Sequence, residues 1–345
     1  MYYLPTSLIF LGLSVITFSY TIMNRKVKRE KHIFVNEMLV ATLFLLAGIL
    51  FPFMYGAHSE NMPEGTLNYL WGTTSLLLII EVIVLTTILT KRTIRAKKDP
   101  EYLASRNYKE FCEKFTSEWK YDFKKDVERK FLHLLPVFVI FLFWTIGIIL
   151  DSLGFLAQFG LDNYSFAYWL IITIGYGFCV MFMIADLARL NAFHSIPDWA
   201  VVWYSKSMKP SELNSFISSA PLVLSFVPFI FAPFPIFASV ALITAGADAA
   251  ASLIGKKYGK HKFKENSVKT IEGYIAGGAM TFLIVIIISG VYNQFWAVNI
   301  GIIMTMAIVA SVLFFLVDSV LSHNITDNIL NPILTGLGMW VIVLI

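Results

Sequence analysis

Apolar positions along this chain gather into runs of about 20 residues, and polar positions gather into the short stretches between them. Such runs match the length of a membrane-crossing helix. They predict about ten helices, over roughly 4–23, 34–55, 69–90, 131–150, 166–188, 215–232, 235–254, 271–290, 296–320 and 329–345. The junction APFPIF at 232–237 is rich in proline, and a re-entrant turn there is an alternative to two full crossings. The stretch NRKVKREK after the first run reads as the basic flank of a retained helix, not of a cleaved signal.

Basic residues fall in only four of the intervening stretches. Segment 24–31 holds five Lys and Arg, 91–130 thirteen, 189–214 three and 255–270 six, which accounts for all 27. With ten crossings, the positive-inside rule puts these four stretches in the cytosol and both termini outside. The expectation is an all-α, polytopic membrane bundle. Its organisation reads as a three-helix region (1–90), a charged amphipathic cytosolic segment (91–128) and a seven-helix core (129–345).

Composition sharpens this picture. Of 345 residues, 57% are hydrophobic and only 14% charged, and mean hydropathy is +0.70, which no soluble domain of this size accommodates. The two cysteines, Cys112 and Cys179, offer neither a disulfide framework nor metal-ligand spacing. In 91–130, Tyr102, Tyr108, Phe111, Phe115 and Trp119 recur at helical spacing among interleaved acids and bases. That pattern predicts an amphipathic helix on an anionic lipid surface and argues against nucleic-acid binding.

The candidate chemistry lies in ionisable residues at the cytosolic ends of apolar runs, where desolvation is costly and a partner or a function is expected. Arg129, Lys130 and His133 share one face at the start of the fourth run. Asp186 and Arg189, three apart at the end of the fifth, form either a local ion pair or an acid and a base facing a vestibule. In TAGADAAASLIGKKYGK, Asp248, Ser252, Gly255 and Gly259 form one helical stripe among alanines, suited to close helix packing or to close approach of a ligand. Lys256, Lys257, Lys260, Lys262, Lys264 and Lys269 follow, with charge suited to phosphates. Thr270 and Glu272 fit a helix cap, and Gly273 leaves room beside them. Asp318, then Asp327 and Asn328, flank the last inter-helix stretch. Carboxylates beside a lysine-rich loop suggest a site for a magnesium–nucleotide complex.

These pieces, RKFLH at 129–133, DLAR at 186–189, ADAAASLIGKKYGK at 247–260, KTIEG at 269–273 and DN…P at 327–332, resemble in type and order the polyprenol kinase family. That family includes dolichol, phytol and CTP-dependent diacylglycerol kinases, and dolichol kinases are the most similar. The resemblance covers about residues 129–345. Asp318 stands where the family usually has glutamate, and Gly246–Ala247 where it often has a further acid or glycine.

The resemblance implies an integral membrane enzyme that transfers the γ-phosphoryl of CTP to an isoprenoid alcohol on the cytosolic face, with Mg²⁺ as cofactor. It would sit in the plasma membrane of a prokaryote or the endoplasmic reticulum of a eukaryote. Asp248, Asp186, His133, Arg129, Lys130 and Arg189 are the expected catalytic group. Ser252, Gly255, Gly259, Lys260, Lys262, Lys269, Thr270, Glu272 and Gly273 would hold the nucleotide. Asp248, Asp318, Asp327 and Asn328 would hold the metal. A cytidylyltransferase making a CDP-lipid and a transporter or flippase are the competing readings. Glu81, mid-way along the third run, lies outside this set.

Overall fold

The computed structural model describes residues 1–26, 31–59, 62–120, 122–217, 219–262, 269–321 and 325–345. Lys264 of the lysine-rich loop lies outside the described residues. The described chain is helical apart from its turns and a single β-bridge, Lys262 to Thr270. Nine helical segments among the described residues are long and apolar enough to cross a membrane. They include α1 (Leu4–Met23), α2 (Lys31–Met54), α3 (Glu64–Lys98), α8 (Asn163–Asn191), α13 (Ile271–Val291), α14 (Ile300–Ser319) and α15 (Asp327–Leu344). The other two are composite. One joins α6 (Phe123–His133) to α7 (Leu135–Ser152) across Leu134, with Pro136 in the first turn of α7, where its missing N–H costs nothing. The other joins α11 (Phe234–Leu242), a wide π-helical turn at Ile243–Ala247, and α12 (Asp248–Tyr258).

The bundle wears apolar side chains outside as well as inside. Leu76, Ile83, Ile287 and Ile308 are all about half exposed, which fits a lipid surround and no aqueous one. Phe10, Phe44, Trp144, Tyr176, Phe234 and Phe237 are buried in its centre. The helix α3, at 35 residues, is roughly 52 Å long and outreaches a hydrocarbon core of about 30 Å. Its last turns, with Lys91, Arg92, Arg95, Lys97 and Lys98, therefore reach beyond the hydrocarbon core, where Ala96 is buried and Arg92 pairs with Asp198.

The expected sixth crossing, 215–232, is not a continuous helix. It is a short helix α10 (Ser219–Leu224), a bend, and a 3₁₀ turn at Val227–Phe231. Pro228 explains the break, since it cannot donate the backbone hydrogen bond that would continue α10. The segment nevertheless runs from one end of the bundle to the other. At one end the N–H of Ile217 donates to Asp186 Oδ2 at 2.7 Å, and at the other His58 Nε2 donates to the Ile230 carbonyl at 2.7 Å. His58 stacks on Tyr168, eighteen residues along α8 from Asp186, a separation of about 27 Å. Between these two ties the segment passes through α10 and the 3₁₀ turn, which rises faster than an α-helix.

Segment 91–130, expected as one amphipathic helix against lipid, is divided by N-capping side chains. Asp99 caps α4 (Pro100–Ala104), Asn107 caps α5 (Tyr108–Glu118) and Asp122 caps α6. Its apolar face packs on protein. Tyr108 and Phe111 lie 5.1 and 5.0 Å from Phe193, in a second small core with Tyr204, Met208 and Leu213 that caps the end of α8.

Candidate functional site

Among the described residues, the polar groups singled out in the sequence, except Glu81, lie at one end of the bundle. Short ties join the helices there: Asn36 of α2 accepts from the N–H of Thr326, and Arg92 of α3 pairs with Asp198 of α9 (Asp198–Ser207). At the opposite end, Thr66 donates to the Phe159 carbonyl.

Within the polar end, a cavity of about 660 Å³ opens between α2, α7, α8 and the broken crossing. Its mouth carries Arg129, Lys130, His133, Asp248, Asp327 and Asn328. Three of the sequence-defined groups, distant in the chain, therefore converge on one opening. Asp248 forms an ion pair with Lys130. The π-helical turn just before Asp248 shifts the helix face that follows it, a departure often found beside functional residues. His133 Nδ1 is buried and has no hydrogen-bond partner among the described residues. Such a ring nitrogen, next to a carboxylate, is available to a ligand's hydroxyl.

Two residues at this mouth were not singled out from sequence. Asp126 pairs with Lys256 of α12 and lies 3.7 Å from Arg129 Nη1. Its i,i+3 spacing to Arg129 was the available signal. Lys209 lines the mouth from the strap 208–217, and nothing in its local sequence marks it. Burial, together with the positive charges of Arg129 and Lys130, holds the Lys209 ammonium below the usual lysine range, against the pull of Glu212 and Asp126. Arg129, Lys130 and Lys209 thus meet at one opening, where Asp126 and Asp248 pair with Arg129 and Lys130.

Beside the mouth, Lys269 pairs with Asp318 of α14 and reaches Asp327 Oδ2 at 3.7 Å. Burial opposes its charge, and the carboxylates of Asp318, Asp327 and Asp248 more than offset this, so its ammonium titrates above the usual range. Asp327 also opens α15, its Oδ1 accepting the N–H of Asn328. Lys260 and Lys262 are exposed on the neighbouring loop.

The remaining residues take other places. Asp186 and Arg189 are not among the residues lining the cavity. Arg189 is fully buried, and its guanidinium donates to Asp186 Oδ1 (3.1 Å), Tyr108 Oη (2.7 Å) and the carbonyls of Leu213 (2.7 Å) and Ser215 (2.6 Å). Of the two sequence readings, the geometry is that of the local ion pair, and it pins the strap that carries Lys209. Burial raises the Tyr108 hydroxyl above its ordinary range, keeping it protonated in this knot.

The small residues of α12 and α13 serve close packing. A Cβ on Gly273 would stand 2.7 Å from the Ala251 carbonyl, and one on Gly255 3.2 Å from Gly273 Cα. The two backbones therefore touch each other where sequence suggested approach to a ligand. Thr270 is buried in the same crossing, with its hydroxyl accepting from the N–H of Gly273 and donating to the Gly255 carbonyl. Gly259 lies against Thr270 as well. Ser252 is half-buried on the same helix. Glu272 binds His261 Nδ1 at 2.7 Å on the surface.

Among the described residues no three acidic, histidine or cysteine side chains converge as a cation site. Asp248, Asp318 and Asp327 each face a lysine. Magnesium, however, is commonly held by one or two carboxylates together with substrate phosphates, and needs no all-protein cage. The oxygens of Asp248 and Asp327 at the mouth fit that mode. Compared with protein-family models, with curated proteins and with solved structures, the chain matches none of them.

Proposed function

We propose that this protein is an integral membrane kinase that transfers the γ-phosphoryl of CTP to an isoprenoid alcohol, giving the lipid monophosphate and CDP. The carrying observation is that one cavity joins a charged mouth to an apolar interior. An amphipathic acceptor needs both, with its hydroxyl among charges and its chain among aliphatic side chains. The motif order over 129–345 supports the same reading. CTP as donor and the isoprenoid nature of the acceptor rest on the resemblance.

The polar end faces the cytosol in this reading, because the described residues of the basic stretches belong to it and the broken segment completes a tenth traverse. Both termini then lie on the other side.

Phosphoryl transfer depends mainly on positioning and charge neutralisation. Lys269, with Lys260 and Lys262 on the adjoining loop, holds the phosphates, while Arg129, Lys130 and Lys209 offset charge on the transferring group. The acceptor hydroxyl oxygen forms the new bond to the γ-phosphorus, the bond to the β–γ bridging oxygen breaks, and CDP leaves. The hydroxyl proton passes to His133 Nδ1. Magnesium, when bound at Asp248 and Asp327, neutralises phosphate charge. Asp186 and Arg189 act through the strap as positioning residues.

The test is incubation of the purified protein with γ-labelled CTP or ATP and a panel of polyprenols, phytol and diacylglycerol. Label in a lipid monophosphate, lost in Asp248→Asn, is the expected result. A CDP-lipid with pyrophosphate as co-product would move the protein to the cytidylyltransferase reading. Unchanged activity in Asp248→Asn would refute the site.

A further inference from the structure

The apolar part of the cavity has a definite length and a closed end. Its lining on α8 runs from Ala185 near the mouth to Ile171, fourteen residues or about 21 Å. Across from α8 the wall is Ile140 of α7, Val223 and Phe226 of the broken crossing, and Phe237 of α11. Beyond Ile171 the way is blocked by aromatic rings. Trp144 stacks on Phe234 with centroids 3.4 Å apart, and Tyr168 lies against Phe237 at 5.6 Å and His58 at 5.3 Å. Trp144, Tyr168 and Phe234 are each at most 1% exposed, so no gap leads through them.

The mouth also has an apolar rim. Leu132 and Leu135, each about half exposed, and Trp199, 67% exposed, line the cavity at this rim. Tryptophan at that level suits the headgroup layer, so the rim offers lateral access from the bilayer and not from water alone.

We infer that this blind slot, walled by α8, α7, α11 and the broken crossing and ending at Ile171 and Phe237, is a chain-measuring site. It takes a single hydrocarbon chain of about sixteen extended carbons, the length that about 21 Å of slot admits. The acceptor is therefore an alcohol of short-to-medium chain, on the scale of four isoprene units. Much longer polyprenols are disfavoured, because the tail beyond the floor has to double back through the mouth, where the charged groups lie. A chain already in lipid gains little apolar burial by moving into the slot, so the selection is steric, not hydrophobic. This inference rests on the proposed lipid-alcohol reading for its headgroup. The slot itself is testable without nucleotide.

The experiment uses full-length protein in nanodiscs and a C16 alcohol carrying a diazirine at its far end. After photolysis, label is mapped by mass spectrometry, and unlabelled alcohols from ten to fifty-five carbons compete. Label is expected in peptides spanning 168–176 and 226–237. Competition should be strong up to about twenty carbons and about tenfold weaker for the longest chain. Gly175→Phe, which adds a ring to the lining ten of the fourteen residues from Ala185 to Ile171, should move label toward the mouth. Ile171→Ala, which deepens the floor, should extend the chain length that competes, and it keeps the test decisive if Gly175→Phe does not fold. Label confined to lipid-facing residues such as Phe131 and Phe138, or equal competition at every length, overturns the inference. Chain selection without phosphorylation by any nucleotide would remove the kinase reading and leave the slot standing. Phosphorylation without chain selection would do the reverse.

Discussion

Replacing Arg189 with alanine removes a buried cation from a site where every neighbour is arranged for it. The side chain is fully buried and satisfies Asp186, Tyr108 and the carbonyls of Leu213 and Ser215. Asp186 is itself buried and would keep only the N–H of Ile217 and a long contact to Tyr204. Leaving one partner of a buried pair uncompensated costs about 3–5 kcal/mol. The freed carbonyls of the strap add to that cost unless water reaches them. At roughly 2 °C per kcal/mol for a chain of this size, the midpoint of thermal unfolding in detergent should fall by about 6–10 °C. Lysine should not rescue it, because a single ammonium cannot meet a carboxylate, a phenol and two carbonyls spread around a planar fork. The double variant Asp186→Leu, Arg189→Met should recover much of the lost stability, since it removes both charges. Hydrogen exchange supplies a second readout. Amides of 212–217 should exchange faster in every one of these variants, including the stable double one, because the strap loses its pins. Arg189→Ala with an unchanged midpoint and unchanged exchange at 212–217 would refute the role given to this residue.

Other outcomes follow from the same geometry. Nucleotide affinity should fall as pH rises into the range where the lowered Lys209 loses its proton, and binding of an anion should take up protons there; isothermal titration in two buffers of different ionisation enthalpy measures both, and Lys209→Met should flatten the profile. Gly273→Ala forces a methyl to 2.7 Å from the Ala251 carbonyl and should destabilise by about 1–3 kcal/mol, seen as a lower unfolding midpoint, whereas Gly278→Ala, where the added carbon meets nothing within 4 Å, should be neutral. His133→Ala should lower kcat at least tenfold with little change in KM for nucleotide, as expected for a group acting in proton transfer; an equal rise in KM would place it in binding instead.

The long helices were legible because their apolar runs match the membrane and because proline and charge mark their ends. The first helix falls at Leu4–Met23 as its run predicts, and α13 differs from expectation by one residue. The gathering of Lys130, His133, Asp248 and Asp327 at one mouth was legible through the loop charges, which place residues on an end of the bundle without saying who touches whom. The pairings were not legible. Lys256 stands in the sequence among lysines that read as phosphate ligands, but it faces Asp126, 130 residues earlier. The partners of Arg189 are mostly backbone carbonyls of the strap, and carbonyls leave no trace in a pattern of side chains. The small-residue stripe at 248–259 carries two meanings in sequence, and only the closeness of α12 to α13 decides for packing. The broken crossing was hidden because its composition is that of a helix, while Pro228 denies it the hydrogen bond that would continue α10.

That broken crossing bears on how the protein is made. A continuous apolar helix can leave the insertion machinery for lipid alone, since its peptide groups are satisfied within itself. The stretch from Ser219 to Phe231 cannot, because its bends expose carbonyls that lipid will not solvate. Its side chains from Ala220 to Ala232 are mostly sealed by other helices, and its ends are fastened to α8 and to His58. Ribosome-coupled insertion can therefore lay down its neighbours one by one, but this traverse is placed by tertiary folding after α2 and α8 are in the bilayer. The wall it forms against α8 is also the wall of the slot, so the chain site comes into being only at that last step of assembly.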